Sequence, residues 1–225
     1  MDRPEPSGGR PMTRLDIFSD PVCPWCLIGA TNLVRALADA PDQPFEVTWH
    51  PYQLNPDLPP EGTDRGQYLT EKFGGLENVD RVHARVEAAA REAGIPIAFD
   101  RITRMPNTLD AHRLIHWAAA EGAQTRVAMA LFARYFGAGE DISDPVVLAN
   151  VAGEAGLDPA AITRLLAGDA DREAVAREAD DARRAGITGV PAFIVAGQYA
   201  VTGAQSQAFW TDFAREVAAA TTPPT

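Results

Sequence analysis

Two cysteines make up the whole thiol complement of this 225-residue chain, and they stand three apart as Cys23-Pro24-Trp25-Cys26. Behind them, Leu27 to Ala40 places Leu27, Ile28, Val34 and Leu37 along one helical face, and Pro24 suits a first helical turn. Residues three apart at a helix start lie on the same side, one turn apart, with Cα atoms about 5–6 Å from each other, inside disulfide range. The first sulfur of such a pair faces the unsatisfied N–H groups and positive pole of the helix, which favours thiolate over thiol. The second lies inside the helix, placed to attack a mixed disulfide formed on the first. Cys23 therefore reads as the attacker and Cys26 as the resolver. Pro24 stiffens the loop, and Trp25 offers an apolar contact for a bound polypeptide.

Other chemistries compete for the same residues. Two cysteines at this spacing are half a zinc site, which His112 and His116, at i and i+4 of a helix, could complete. Those histidines stand 86 residues beyond Cys26 and no second Cys-x-x-Cys exists, so they read as packing or surface residues and no metal is expected. Asp20 reads equally as an Asp-Pro turn residue or as a proton acceptor for a cysteine. A second constellation, Gly186-Ile187-Thr188-Gly189-Val190-Pro191, precedes an apolar run. It is either a helix end with a turn or a cis Val190–Pro191 bond that leaves Val190 backbone groups open to an extended peptide.

Composition narrows the functions these residues serve. Hydrophobic residues are 46% and charged ones 23%, enough apolar material for a sizeable core. Twenty basic against thirty-one acidic side chains leave a net charge of −11, which disfavours nucleic acid and anionic membrane as partners. Residues 1–11 read as a disordered leader without the apolar core of a signal peptide. The uncharged stretch Ala185 to Thr211 holds too many glycines and glutamines for a membrane span. A cytoplasmic location is expected, where a lone structural disulfide would be kept reduced.

The elements that must position the dithiol follow from periodicity. Arg14 to Ser19 alternates and reads as a strand, with Leu15, Ile17 and Ser19 opposite Asp16 and Phe18. With the helix and a second strand at Phe45 to Trp49 it forms a βαβ unit. From 63 to 170 the punctuation is helical: Asp64, Asp144 and Asp158 are N-caps, and glycines such as Gly74, Gly94, Gly122, Gly137 and Gly156 are stops. Phe132, Tyr135 and Phe136 are core residues, and Asn107 or Thr108 caps a helix. After a helix over Asp171 to Gly186 the pattern reverts to strand at Pro191 to Ala196. A Gly197-Gln198 turn leads to a return strand at Tyr199 to Thr202. A closing helix, Ala204 to Ala220, carries Phe209, Trp210, Phe213 and Val217. The expected fold is an α/β domain made of residues 12–62 and 171–225, interrupted by an all-helical insertion over 63–170.

Four segments, DPVCPWC, AHRL, GVPAFIV and YAVTGAQ, together resemble the DsbA-like thioredoxin superfamily and within it the FrnE-type disulfide oxidoreductases. The resemblance runs from Arg14 to about Phe213. It implies a thioredoxin fold, βαβ…ββα, with a helical insertion between its halves. It further implies Cys23 as nucleophile, Cys26 as resolving thiol, Pro191 as a cis proline beside them and Val190 as the residue pairing with substrate backbone. Asn107 and Thr108 fall in a segment that approaches the active-site rim in relatives. Implied partners are protein or small-molecule thiols and disulfides, with glutathione as a co-substrate and no cofactor beyond the redox-active disulfide. The related 2-hydroxychromene-2-carboxylate isomerases and kappa-class glutathione transferases usually have serine where Cys23 stands, so the intact pair argues against that branch. Two further readings remain: a glutathione-dependent isomerase or transferase acting on a small aromatic metabolite, and a non-enzymatic peptide-binding chaperone.

Overall fold

The computed structural model describes residues 12–40 and 44–220; the expected leader lies outside them. β1 (Thr13–Ser19) runs into α1 (Pro24–Ala38), and β2 (Phe45–Pro51) returns parallel to β1, with Leu15 opposite Val47 and Ile17 opposite Trp49. A long excursion follows: β3 (Thr63–Asp64), α2 (Arg65–Phe73), α3 (Leu76–Glu92), β4 (Arg104–Met105), α4 (Leu109–Trp117), α5 (Gln124–Phe132), α6 (Pro145–Glu154) and α7 (Pro159–Leu166). The chain rejoins the sheet through α8 (Arg172–Arg184), β5 (Ala192–Val195), β6 (Tyr199–Thr202) and α9 (Gln207–Ala220). The sheet order is β2-β1-β5-β6, with β5 antiparallel to β1 and β6 antiparallel to β5. This is the α/β arrangement with a helical insertion that the sequence pattern implies.

Both faces of the sheet are covered. On one, α1 packs against α9, whose Trp210 is fully buried edge-on to Phe193 at 4.7 Å while Phe213 stacks on Phe45 at 6.1 Å. On the other, α8 lies against β2. Asp16, expected on the polar side of β1, is therefore buried, held by Arg14 Nε and His50 Nε2, each at 2.8 Å. His50 also reaches Glu178 on α8 at 2.7 Å. Burial alone would lower the His50 pKa, but the carboxylates of Glu178 and Asp16 outweigh it and raise the value from the ordinary one. β2 is a sheet edge, and Gln124 closes it by accepting the Trp49 N–H at 3.1 Å and donating to the Trp49 carbonyl at 3.2 Å.

Four local features differ from the sequence reading. The insertion is not purely helical, since β3 and β4 pair as an antiparallel ribbon too short to show alternation. The hairpin turn is centred on Ala196 (φ 53°) and Gly197 (φ 67°), one residue early, with Gln198 N–H on the Val195 carbonyl at 3.0 Å. Positive φ at both central residues matches the twist of the flanking strands, and this outweighs the cost of a left-handed alanine, roughly 1–2 kcal/mol. α5 widens into a π-type turn over Ala133–Ala138 and stops at Gly139, not Gly137. That turn buries Tyr135 and Phe136 beside Phe132, and Gly139 sits so close to Arg101 that a Cβ would meet its carbonyl oxygen at 2.5 Å. The closing helix begins at Gln207, and Phe209 lies partly exposed on it.

Arg113, the arginine of the AHRL segment, is fully buried. Its guanidinium donates to the carbonyls of Leu165 (2.9 Å), Gly168 (2.7 Å) and Ala170 (2.8 Å), pairs with Asp110 at 2.9 Å and lies over the Trp117 ring at 4.9 Å. It thus ties α4 to the end of α7 and to the turn entering α8, where Asp171 adopts φ 56°. Removing it strands three carbonyls. Arg113→Met should lower unfolding free energy by about 3–5 kcal/mol. Arg184→Ala, which breaks an exposed pair with Asp181, should cost less than about 1 kcal/mol. Urea unfolding of both variants checks the contrast.

Candidate active site

The dithiol sits where β1 turns into α1. The Asp20 carbonyl accepts the Cys23 N–H at 2.9 Å, and the Cys23 carbonyl accepts the Leu27 N–H at 3.1 Å to open the helix. Cys23 is the N-cap residue in extended conformation (φ −89°, ψ 114°), Pro24 follows at the first helical position, and no acidic residue occupies the first turn. No acidic side chain within the first turn of α1 itself offsets the positive helix end beside Cys23. Both cysteines are thiols here, Cys23 4% exposed and Cys26 fully enclosed. Burial pushes the Cys26 thiol well up, and neighbouring Cys23 adds to this by hydrogen bond and charge. The Asp20 backbone and the Ser19 side chain pull it the other way without prevailing.

The Val190–Pro191 bond is cis, and the Cys23 thiol donates to the Val190 carbonyl at 3.7 Å. Among the described residues the Val190 N–H has no backbone partner, while the Pro191 carbonyl accepts from Gly203 N–H at 2.8 Å. Gly29 of α1 lets this segment approach, because a Cβ there would meet Pro191 Cγ at 3.1 Å. Trp25 is half-buried and lines a shallow groove with Ile28, Asn32 and Gln205. Cys23, Cys26, Val190 and Pro191 therefore converge, with Trp25 at their edge.

Asn107 and Thr108 stand at the start of α4. Thr108 is buried, and Asn107 accepts from Gln53 Nε2 (3.2 Å) and the Leu109 N–H (3.0 Å) while donating to the Leu58 carbonyl (2.6 Å). Asn107, not Thr108, thereby supplies the side-chain cap at the start of α4. Asp20 is fully buried and accepts the N–H groups of Val22 (3.4 Å) and Leu54 (2.7 Å). His112 is also buried, with Nε2 3.7 Å from Asp20 Oδ1 and no hydrogen-bond partner, whereas His116 is exposed. The two histidines thus occupy opposite environments and do not form a shared ligand pair. The proximity of His112 to Asp20 was not legible, since 92 residues separate them; the AHRL segment was its only signal.

On its other side the dithiol turn borders a cavity of about 120 Å³ that reaches into the insertion. Val22 and Pro24 form its near wall, and Leu69, Val86, Phe99 and Phe136 its far one. Arg65, Lys72 and His83 also line it. Burial, then the charge of Arg65, lowers the pKa of His83, which stacks on Phe99 at 4.2 Å.

Residues 14–213 match the sequence pattern of the DsbA-like thioredoxin domain. The chain belongs to that family. A Bacillus subtilis protein, YwbO, is 26% identical over 198 residues, covering 84% of this chain and 90% of its own. The crystal structure of a probable DsbA oxidoreductase from Streptomyces coelicolor is 28% identical, with a TM-score of 0.79 and coverage of 95% and 93% of the two chains. The cytosolic disulfide reductase DsbM from Pseudomonas aeruginosa, solved with glutathione, shares the fold at 19% identity and a TM-score of 0.65, over 90% of this chain and 98% of its own. Family membership and the intact cysteine pair support an enzyme of the thiol–disulfide oxidoreductase kind. Among the described residues, no helix is long and apolar enough to cross a membrane.

The unequal enclosure of the two thiols gives a direct expectation. Iodoacetamide added to reduced native protein should label Cys23 first and leave Cys26 unlabelled until denaturant is present. Peptide mass mapping over a time course reads this order.

Proposed function

We propose that this protein is a cytoplasmic, FrnE-type thiol–disulfide oxidoreductase in which Cys23 attacks and Cys26 resolves. The observation that carries the reading is the position of the two thiols at the start of α1, Cys23 at the N-cap against the Val190 carbonyl of the cis Val190–Pro191 bond and Cys26 fully enclosed one turn on. The Cys23 thiolate attacks a substrate disulfide, the substrate S–S bond breaks, and one substrate thiolate leaves and takes up a proton. Cys26 then loses its proton and attacks Cys23 Sγ, releasing the second substrate thiol and closing the Cys23–Cys26 disulfide. Two electrons pass from the pair to the substrate. A thiol such as glutathione restores the pair in two further exchanges, and the cycle runs in reverse as oxidation.

The high pKa of Cys26 keeps it protonated until the mixed disulfide presents a sulfur to it. The free N–H of Val190 is placed to pair with an extended substrate backbone, and Trp25 to cover an apolar substrate side chain. Asn107 holds the 53–58 loop against the turn.

The cysteines separate the steps. Cys23→Ser should reduce disulfide-exchange turnover to the uncatalysed background. Cys26→Ser should still attack and should accumulate a stoichiometric mixed disulfide on Cys23, seen as a substrate-sized mass increase that dithiothreitol removes. Turnover surviving in Cys23→Ser would contradict the assignment.

A further inference from the structure

The cavity beside the dithiol turn holds Arg65, which alone among the described arginines is both buried and without a carboxylate oxygen within 4.0 Å. In a chain of net charge −11, nine described arginines, from Arg14 to Arg215, lie within 4.0 Å of a carboxylate oxygen. Arg65 is only 8% exposed, yet its neighbours are neutral. It donates to His83 Nε2 at 3.1 Å, meets the Tyr135 hydroxyl and lies 5.1 Å from the centre of the Phe99 ring. Arginine has no acceptor, so His83 Nε2 must be the accepting nitrogen and the imidazole supplies no negative charge. At the cavity mouth the partners of Lys72 among the described residues are likewise neutral: Asn55 Oδ1 (3.2 Å), the Tyr68 hydroxyl (2.6 Å) and the Tyr68 ring at 5.1 Å. A guanidinium taken out of water without a counter-charge carries a large desolvation cost.

The rest of the wall is apolar. The cavity's enclosed volume of about 120 Å³ approaches the roughly 150 Å³ of an engineered apolar cavity that binds benzene, room for a small aryl or alkyl body. Inorganic anions and nucleotide phosphates would lose hydration against these walls without recovering it. A carboxylate on an aryl or alkyl body matches both parts, since its two oxygens suit the guanidinium fork and its carbon frame suits the apolar lining.

We propose that this cavity binds a small apolar carboxylate and thereby selects disulfide substrates whose thiol half carries such a group. The binding half of the proposal stands alone; the selection half rests on the dithiol reading. Val22 and Pro24 flank Cys23 in sequence and form the near wall, so a ligand whose carboxylate meets Arg65 and Lys72 sits against the turn that carries Cys23, whose own side chain is not part of the lining.

Two measurements test it. In Cys23→Ser protein, calorimetry with 2-naphthoate and its neutral amide should show about tenfold or greater preference for the acid, lost in added Lys72→Gln or Arg65→Gln. With intact cysteines, the protein should react faster with 5,5′-dithiobis(2-nitrobenzoate) than with the uncharged 4,4′-dithiodipyridine, after correction for each reagent's rate with free cysteine. That preference should fall about tenfold in Lys72→Gln and Arg65→Gln but stay within about twofold in Arg184→Gln, which removes the same charge elsewhere. Lys72 is exposed, so its variant keeps the test valid should Arg65→Gln fail to fold. Equal binding of acid and amide, or a preference unchanged in Lys72→Gln, overturns the proposal. If naphthoate binds as expected but neither disulfide reacts through Cys23, the pocket stands and the dithiol reading falls.

Discussion

Asp20 is a fully enclosed carboxylate at the point where the central strand becomes the first helix, and the surrounding chain is arranged to satisfy it. An ionised carboxylate out of water costs several kcal/mol unless donors converge on it. Here the donors are the N–H groups of Val22, in the turn itself, and Leu54, in the loop after β2. That loop is fixed in turn by Asn107 on Gln53, by Arg183 on the Gln53 carbonyl and by the Arg183 guanidinium over the Tyr52 ring at 4.8 Å. One buried charge thus links strand, turn, loop and insertion. The Asp20 carbonyl sets the Cys23 N–H, and with it the extended N-cap geometry that aims the first thiol outward and the second inward.

The two thiols then differ by position alone. Cys23 sits at the N-cap under the Val190 carbonyl, nearly enclosed, and Cys26 lies one turn deeper against Ser19 at the end of β1. Two concavities meet the turn, the groove at Trp25 and the cavity behind Val22 and Pro24. Helix α1, the segment after β6 and the end of α3 in the insertion line the first, while the insertion supplies most of the second.

Local chemistry was legible and long-range burial was not. The Cys-x-x-Cys spacing, the Asp-Pro helix starts and the Gly-terminated helices announce themselves within a few residues, and the structure bears them out at Asp64, Asp144 and Asp158. Alternation in Arg14 to Ser19 placed Asp16 in water because it reports two faces, not what covers them; α8 arrives from more than 150 residues away to bury it. Asp20 and His112 fail to signal their contact for the same reason. Arg65 directly follows the Asp64 cap and carries no local signal of its burial, which, without a carboxylate beside it, sets it apart among the described arginines. The hairpin misplacement at Ala196 has a different origin: a left-handed alanine is rare enough that glycine draws the turn to itself.

The central claim is that Cys23 and Cys26 form a reversible two-electron couple. It is tested most directly by equilibrating the protein across a series of glutathione ratios, quenching with an alkylating agent and weighing the products. The account predicts one transition between a doubly alkylated and an unalkylated species, with a slope of about 30 mV per tenfold change, absent in Cys26→Ser. A midpoint near about −270 mV would mark a reductant, and one near about −120 mV an oxidant. A pair that stays doubly alkylated across the whole range would contradict the account.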